Sequence, residues 1–440
     1  MKPEDNHTLT TVEPGSPMNR LCKHYWLPAC LSRDVVTGGD PFRVRLLGED
    51  YVAFRDATDR VGILDELCPH RRASLMLGRV HDDAIECIYH GWRFDTAGAT
   101  TVMPNCDEPG LRQRYRAIAH PVQEAGGLIW VYLGTLDAQG NPPPFPLHRW
   151  MIAPDTHKHP RIVASHSNFV QVMEGLLDSS HLAVLHQDSL PRPDGTVKVV
   201  NETMRPASRF TGVMSAKAPR LEVEDTTFGI YAAAVREIVS REGQAQLDVR
   251  ITAYVAPFTV YVANGNVTLM CVPVDTRTTY LYIIYWDPDR PFGLPPYSDD
   301  IEEGTGTRPD VAARYGFTRE TLGAPGTATR ANNWLQDREA MRRGETFSGL
   351  PPFSMEDIAC TTSMGEVSDR QEMLLPADLA IVRMRRYLLN AARSVADGGE
   401  APHFEDAALA GNIGAIFAQL PQDARWQDLL PSREAAGADA

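Results

Sequence analysis

Cysteine is scarce in this chain. Seven occur among 440 residues, at positions 22, 30, 68, 87, 106, 271 and 360. An odd, scattered set in so long a chain excludes a disulfide framework and fits reduced thiols. Long apolar runs are also missing. Stretches such as Gly127 to Gly134 are too short to span a bilayer, so no membrane partner is expected. The opening Met1-Lys2-Pro3-Glu4-Asp5-Asn6-His7 has neither the apolar core of a signal peptide nor a basic amphipathic pattern, and a cytoplasmic location is expected. Basic charge is in deficit as well. The net charge of −14 argues against nucleic acid as a partner, because phosphate binding needs a basic face.

What is present suffices for two or three domains, each with its own core. Residues 1–17 read as a polar lead-in. Residues 18–150 read as a small β domain, with short strands at Phe42 to Leu47, Tyr51 to Phe54, Val61 to Leu64 and Gly127 to Leu133. The turn cluster Gly140-Asn141-Pro142-Pro143-Pro144 marks its end. Residues 151–396 read as a second domain. It opens with Arg161 to Ser165 and a helical stretch from Asn168 to His186. Antiparallel strands follow at Phe228 to Val239, Leu247 to Val255, Phe258 to Val262, Val267 to Val272 and Thr279 to Tyr285. Residues 291–326 lack periodicity and read as a loop or lid. Leu379 to Val395 has the spacing of an amphipathic helix, and residues 397–440 read as a peripheral tail.

Two ligand sets stand out. The first is Cys68-Pro69-His70 with Cys87-Ile88-Tyr89-His90. Two thiolates and two imidazoles arriving as short pairs suit a [2Fe–2S] cluster, the cysteines on one iron and the histidines on the other. Zinc also accepts a Cys₂His₂ set, although the pairs lack a zinc-finger layout. Arg71, Arg72, Arg79 and Arg93 flank the pairs. They read either as surface arginines or as a positive collar for an acidic electron donor. The second set is Asp178-Ser179-Ser180-His181 with His186. Imidazoles with a carboxylate suit a single open-sided iron. An offset of five places two histidines about 140° apart on a regular helix, so a distorted or ending helix is required. Asp178, three residues before His181, can accept its non-ligating N–H.

The first motif closely resembles the Rieske motif of aromatic-ring oxygenases. His24 to Ala29, Arg43 to Asp50 and the run to Asn105 resemble the phthalate dioxygenase-like subgroup of their α (oxygenase) components. Asn168 to Gly175 followed by Asp178, His181 and His186 resembles the mononuclear iron motif of the same family. Glu356-Asp357 before the run Cys360 to Arg370 looks like the segment supplying the third ligand. Asp357 aligns with that ligand and Glu356 is its rival, while a helix N-terminal carboxylate is the plainer use of Asp357.

The resemblance implies an α+β fold: an N-terminal all-β Rieske domain plus a helix-grip (START-like) antiparallel-sheet catalytic domain. It implies one [2Fe–2S] cluster and one mononuclear Fe(II) per chain, with NAD(P)H acting only through a reductase that carries flavin and an iron–sulfur cluster. It implies a homotrimer or dimer of trimers, in which Asp178 bridges His181 to His90 of a neighbouring subunit; a route within one chain stays open. It puts Asn168 near the iron, although capping is the commoner use of Asn. The implied function is a terminal oxygenase that uses O2 to dihydroxylate or hydroxylate an aromatic, carboxylated substrate. The alternatives are an aryl-ether O-demethylase releasing formaldehyde, a non-catalytic Rieske electron carrier, and a metal-free binding module. Separately, Arg236 and Arg250 lie in apolar strands, where each either faces solvent or anchors a substrate carboxylate.

Overall fold

The computed structural model describes residues 1–108, 110–190, 210–240, 243–367, 370–404 and 407–431. Residues 368 and 369 of the Asp357 motif run, and 432–440 of the tail, lie outside the described residues. Two units emerge, residues 12–145 and residues 1–11 with 146–440. Helices α1 (Pro3–Thr10) and α2 (Pro17–Cys22) precede the first strand.

The unit of residues 12–145 is built from short strands in three antiparallel sheets. One orders β1 (Trp26–Leu31), β11 (Leu128–Tyr132) and β10 (Val122–Ala125). A second orders β2 (Phe42–Leu46), β3 (Glu49–Arg55), β4 (Val61–Asp65) and β9 (Ala119–His120). A third orders β5 (Arg79–His81), β6 (Ala84–Glu86), β7 (Arg93–Asp95) and β8 (Thr100–Val102). The β2–β3 hairpin turns on Leu47 and Gly48, both with positive φ, the two-residue turn whose twist matches paired strands. Leu47 accepts that backbone because its side chain is fully buried. Phe54, Leu64, Leu75, Ile85, Trp92 and Phe94 form the core beneath the cluster loops.

The second unit is centred on one large antiparallel sheet. Its order is β12 (Lys158–Ser165), β18 (Thr278–Trp286), β17 (Val267–Asp275), β16 (Thr259–Tyr261), β15 (Ala245–Val255), β14 (Gly229–Val239) and β13 (Arg220–Asp225). β19 (Ile416–Pro421) pairs with Gln246 to Ile251 of β15 and so continues the edge that β16 takes at Ala253 to Val255. The expectation of a peripheral tail is corrected here: 416–421 completes the sheet. The polar lead-in is corrected too, since α1 packs on the catalytic unit and buries Leu9 and Thr10.

Helices cover this sheet. α3 (Phe169–Leu177) buries Phe169, Val170, Met173 and Leu177 against β17 and β18. After α3 come α4 (Leu182–Leu185), α5 (Thr211–Ser215), α6 (Tyr297–Thr305), α7 (Pro309–Tyr315), α8 (Arg338–Arg342) and α9 (Phe353–Ser363). α10 (Leu379–Ala396) buries Ile381, Met384, Leu388 and Ala392, a stripe spaced by three and four residues, against β13 and β14. The loop or lid expected at 291–326 holds α6 and α7 instead. Each ends on a left-handed glycine, Gly306 or Gly316, and Pro309 opens α7; these local signals outweigh the weak periodicity.

Glu174 on α3 pairs with Arg370 at 2.8 Å and with Arg385 on α10 at 2.7 Å, and Glu372 closes the network onto both arginines. These pairs lock α3, and with it the start of the metal-binding turn, to α10. Among the described residues no helix is long and apolar enough to cross a membrane.

Candidate metal centres and substrate cavity

The cluster loops are two copies of one turn. In the first, Cys68 N–H donates to Ala73 O and Arg72 N–H to Cys68 O, each at 2.9 Å. In the second, Cys87 N–H donates to Trp92 O at 2.8 Å and Gly91 N–H to Cys87 O at 2.9 Å. Each turn closes through a left-handed residue, Arg72 (φ 60°) and Gly91 (φ 70°). Glycine takes that backbone freely, whereas arginine does so at a cost of about 1–2 kcal/mol.

Both thiols are buried, and burial, with Cys87 close by, pushes the Cys68 thiol up to about 11 against the lowering hydrogen bond from His70 N–H. Two neighbouring buried thiols ionise together only beside cations, which suits metal. The imidazoles of His70 and His90 meet at 4.5 Å between centroids, and His70 stacks on Trp92 at 4.6 Å and 3°. Trp92 is itself held by its indole N–H to Asn105 Oδ1 at 2.7 Å. Among the described residues only His181, His186 and Asp357 bring three such donor atoms within 4.8 Å of one another. Cys87 is close to Cys68 and the His90 ring meets that of His70, so a two-iron cluster with the cysteine pair on one iron and the histidine pair on the other fits these four residues. The arginine collar is smaller than expected: Arg79 and Arg93 both pair with Glu86, at 3.4 Å and 2.6 Å.

The second centre grows out of a broken helix. The helical stretch expected from Asn168 to His186 is interrupted, as the five-residue offset requires: α3 stops at Leu177, where Asp178 leaves helical geometry. His181 and His186 then flank the short α4 at its two ends. The break solves the angular problem of the five-residue offset, and the two rings meet at 5.1 Å. Asp357, one turn into α9, presents Oδ1 at 3.0 Å from His186 Nε2 and 3.7 Å from His181 Nε2. Two imidazoles and one carboxylate around one point are the donor set of an open-sided iron.

Each histidine has a carboxylate behind it. Asp178 Oδ2 lies 3.6 Å from His181 Nδ1, and Glu356 Oε2 lies 2.7 Å from His186 Nδ1. Burial raises the Asp178 pKa, but hydrogen bonds from His181 and Ser180 outweigh it and hold the group down at about 2. Glu356, the rival third ligand, is thus turned away from the metal point and also accepts from Ser348 Oγ.

The three donors open into a cavity of about 1090 Å³, counting the space at its mouth. Its walls are largely apolar, with Val163, Leu269, Leu281 and Ile283 from the sheet and Leu176 and Ile358 from the helices. Arg250 lines it, 3% exposed; its guanidinium donates to Asn264 Oδ1 and lies 4.7 Å from the Phe210 ring.

Two expected site residues are elsewhere. Arg236 does not line the cavity; it is buried and donates to Ala216 O and Ser179 O. Asn168 caps α3, accepting from Val170 N–H at 3.0 Å and donating to Thr10 O and Thr276 O. Its amide is used up there and it does not line the cavity, so the expected place near the iron is not found. Sequence reasoning missed the backing role of Glu356. Its signal was adjacency, because neighbours on a helix point about 100° apart and cannot both ligate one metal from the same face.

A cluster-bearing β domain joined to a helix-covered sheet with a two-histidine, one-carboxylate centre defines an iron-dependent oxygenase. Comparison with known proteins makes this specific. Residues 25–121 match the family model of the Rieske [2Fe-2S] domain, and residues 131–439 match that described as LigXa C-terminal domain like. The chain is 34% identical to the phthalate 4,5-dioxygenase oxygenase subunit of Pseudomonas putida, over 97% of this chain and 94% of that protein. It is 31% identical to the 3-chlorobenzoate-3,4-dioxygenase oxygenase subunit of Comamonas testosteroni, over 98% of each. In fold it resembles dicamba monooxygenase bound to dicamba, with a TM-score of 0.56 at 16% identity, over 85% of this chain and 98% of that one. The chain belongs to the oxygenase subunits of the Rieske non-heme iron oxygenases. It is an oxidoreductase whose family carries a [2Fe–2S] cluster and a mononuclear iron.

Proposed function

We propose that this protein is the terminal oxygenase of a multicomponent system that oxidises a carboxylated aromatic compound with O2 and reductase-supplied electrons. The observation that carries the reading is that Arg250 and the His181–His186–Asp357 centre open into the same apolar cavity. A buried guanidinium in an apolar wall is a fork for a carboxylate, and it leaves the aromatic ring against Leu269, Leu281 and Ile283.

In this reading Cys68 and Cys87 hold one iron of the cluster and His70 and His90 the other. His181, His186 and Asp357 hold the mononuclear iron. When bound, the metals supply one-electron transfer and dioxygen activation. The protein does the rest. Asp178 and Glu356 accept the Nδ1–H of His181 and His186 and leave each Nε2 free to ligate. Arg250 orients the substrate by its carboxylate, and the apolar walls exclude water from the ring. The family resemblance adds a second role for Asp178, bridging His181 to a cluster histidine, His90, of a neighbouring subunit, and this role asks for a ring of three subunits or two such rings. The electron source is a reductase with flavin and an iron–sulfur cluster.

The test is a screen of aromatic carboxylates, including phthalate and 3-chlorobenzoate, with a surrogate reductase and product masses. Gain of oxygen atoms on the ring supports the reading. Formaldehyde from methoxylated aromatics would turn it into an O-demethylase, and no turnover of any acid, with rapid turnover of neutral aromatics, would overturn the carboxylate assignment.

A further inference from the structure

Arg236 performs a task that its strand position did not suggest. The residue lies on β14 and is 1% exposed. Its Nε donates to Ala216 O at 2.8 Å, and its Nη2 donates to Ser179 O at 3.1 Å and reaches Ser179 Oγ at 3.3 Å. Ser179 is the residue between Asp178 and Ser180. Ser180 in turn donates its N–H and hydroxyl to Asp178 Oδ1, at 2.7 Å and 2.6 Å. One guanidinium therefore grips the middle of the turn that leads from α3 to His181.

The other end of the grip is equally placed. Ala216 follows α5, and Phe210, the residue before α5, lies against the Arg250 guanidinium. Desolvation lowers the Arg236 pKa to about 10, and Asp248, its register partner on β15, works against that shift. Burying a cation so that it can hold two backbone carbonyls is costly. A planar fork reaches both carbonyls at once, which a lysine point charge does not.

We propose that Arg236 is a positioning residue for the oxygen-activating centre. It holds the Asp178–His181 turn so that His181 faces the metal point, and it ties that turn to the α5 segment beside Arg250. The proposal rests on the reading of His181 as an iron ligand.

The test uses the full chain with its cluster loaded, as wild type, R236Q and R236K. Three readouts apply: iron retained against a chelator, the EPR spectrum of the nitric oxide adduct of the ferrous centre, and kinetics with whichever of phthalate and 3-chlorobenzoate turns over. R236Q is expected to retain iron roughly tenfold or more weakly, the scale for loss of a second-layer contact. Its nitric oxide spectrum is expected to change and its kcat to fall, with KM within about twofold of wild type and the cluster spectrum intact. R236K, which keeps the charge but reaches a single carbonyl, is expected to fall between the two and is decisive if R236Q does not fold. Wild-type iron retention and an unchanged nitric oxide spectrum in R236K and R236Q overturn the proposal. So does a rise in KM alone, which would make Arg236 a substrate ligand. A wild-type protein that holds only the two cluster irons overturns the iron-ligand reading itself, so the two failures are distinct.

Discussion

The Nδ1–H of His186 donates to Glu356 at 2.7 Å, while its Nε2 faces Asp357 at 3.0 Å. Two adjacent carboxylates of α9 thus serve opposite sides of one imidazole. Asp357 stands on the metal side, and Glu356 fixes the tautomer from behind.

Replacing the two acids separates their roles. Asp357→Ala is expected to abolish binding of the mononuclear iron while leaving the two cluster irons. Glu356→Ala is expected to weaken that iron about 10- to 100-fold, and Glu356→Gln, which still accepts a hydrogen bond, should weaken it less. Iron counts after chelator challenge decide; equal losses for Glu356→Ala and Glu356→Gln would sink the tautomer argument.

Arg250→Ala is expected to raise KM for a carboxylated aromatic by roughly 10- to 100-fold, the scale of a lost charged hydrogen bond of about 1.5–3 kcal/mol. A neutral analogue should be unaffected. Steady-state kinetics on an acid and its amide would show this; an unchanged KM for the acid removes Arg250 from the substrate site.

Buried Glu174 carries two arginines, Arg370 and Arg385, which the more exposed Glu372 also meets. Removing it leaves Arg370 and Arg385 short of a counter-charge. Glu174→Ala is expected to cost about 3–5 kcal/mol of stability. Denaturant unfolding measures this, and a loss below about 1 kcal/mol would mean that Glu372 alone satisfies both arginines.

His148 adds a pH dependence. Burial pushes its pKa from 6.5 down to about 4, partly offset by its hydrogen bond to the Ala410 carbonyl. The folded protein holds this ring neutral, so between those values the unfolded chain binds more protons. Stability from this group is present above pH 6.5 and lost as pH falls towards 4, by about 2 kcal/mol at pH 5. Melting scans from pH 7.5 to 5 of wild type and His148→Gln are expected to differ in slope; parallel curves would refute the assignment.

The strands were readable because side-chain alternation and apolar runs are local. Leu247 to Val255 and Thr279 to Tyr285 fall inside β15 and β18. The five-residue offset of His181 and His186 already calls for an interrupted helix, but apolar spacing continues past Asp178 and does not say where. The break falls where Asp178 turns to the nearby Ser180 and His181 and where Arg236, from β14, holds Ser179. β19 was missed because a strand that completes an edge from more than 160 residues away carries no local sign.

The donor chemistry follows from residue types and their spacing alone. Two thiols and two imidazoles at short spacing, and two histidines with nearby carboxylates, limit the metals that can bind, whatever the fold. Which carboxylate faces the metal point, which arginine faces the cavity and that Asn168 caps α3 emerge only once the chain is folded. Ligand type is a property of single side chains. Direction depends on where a helix breaks and on which face of a strand meets the core, and both are settled by packing between segments far apart in the chain.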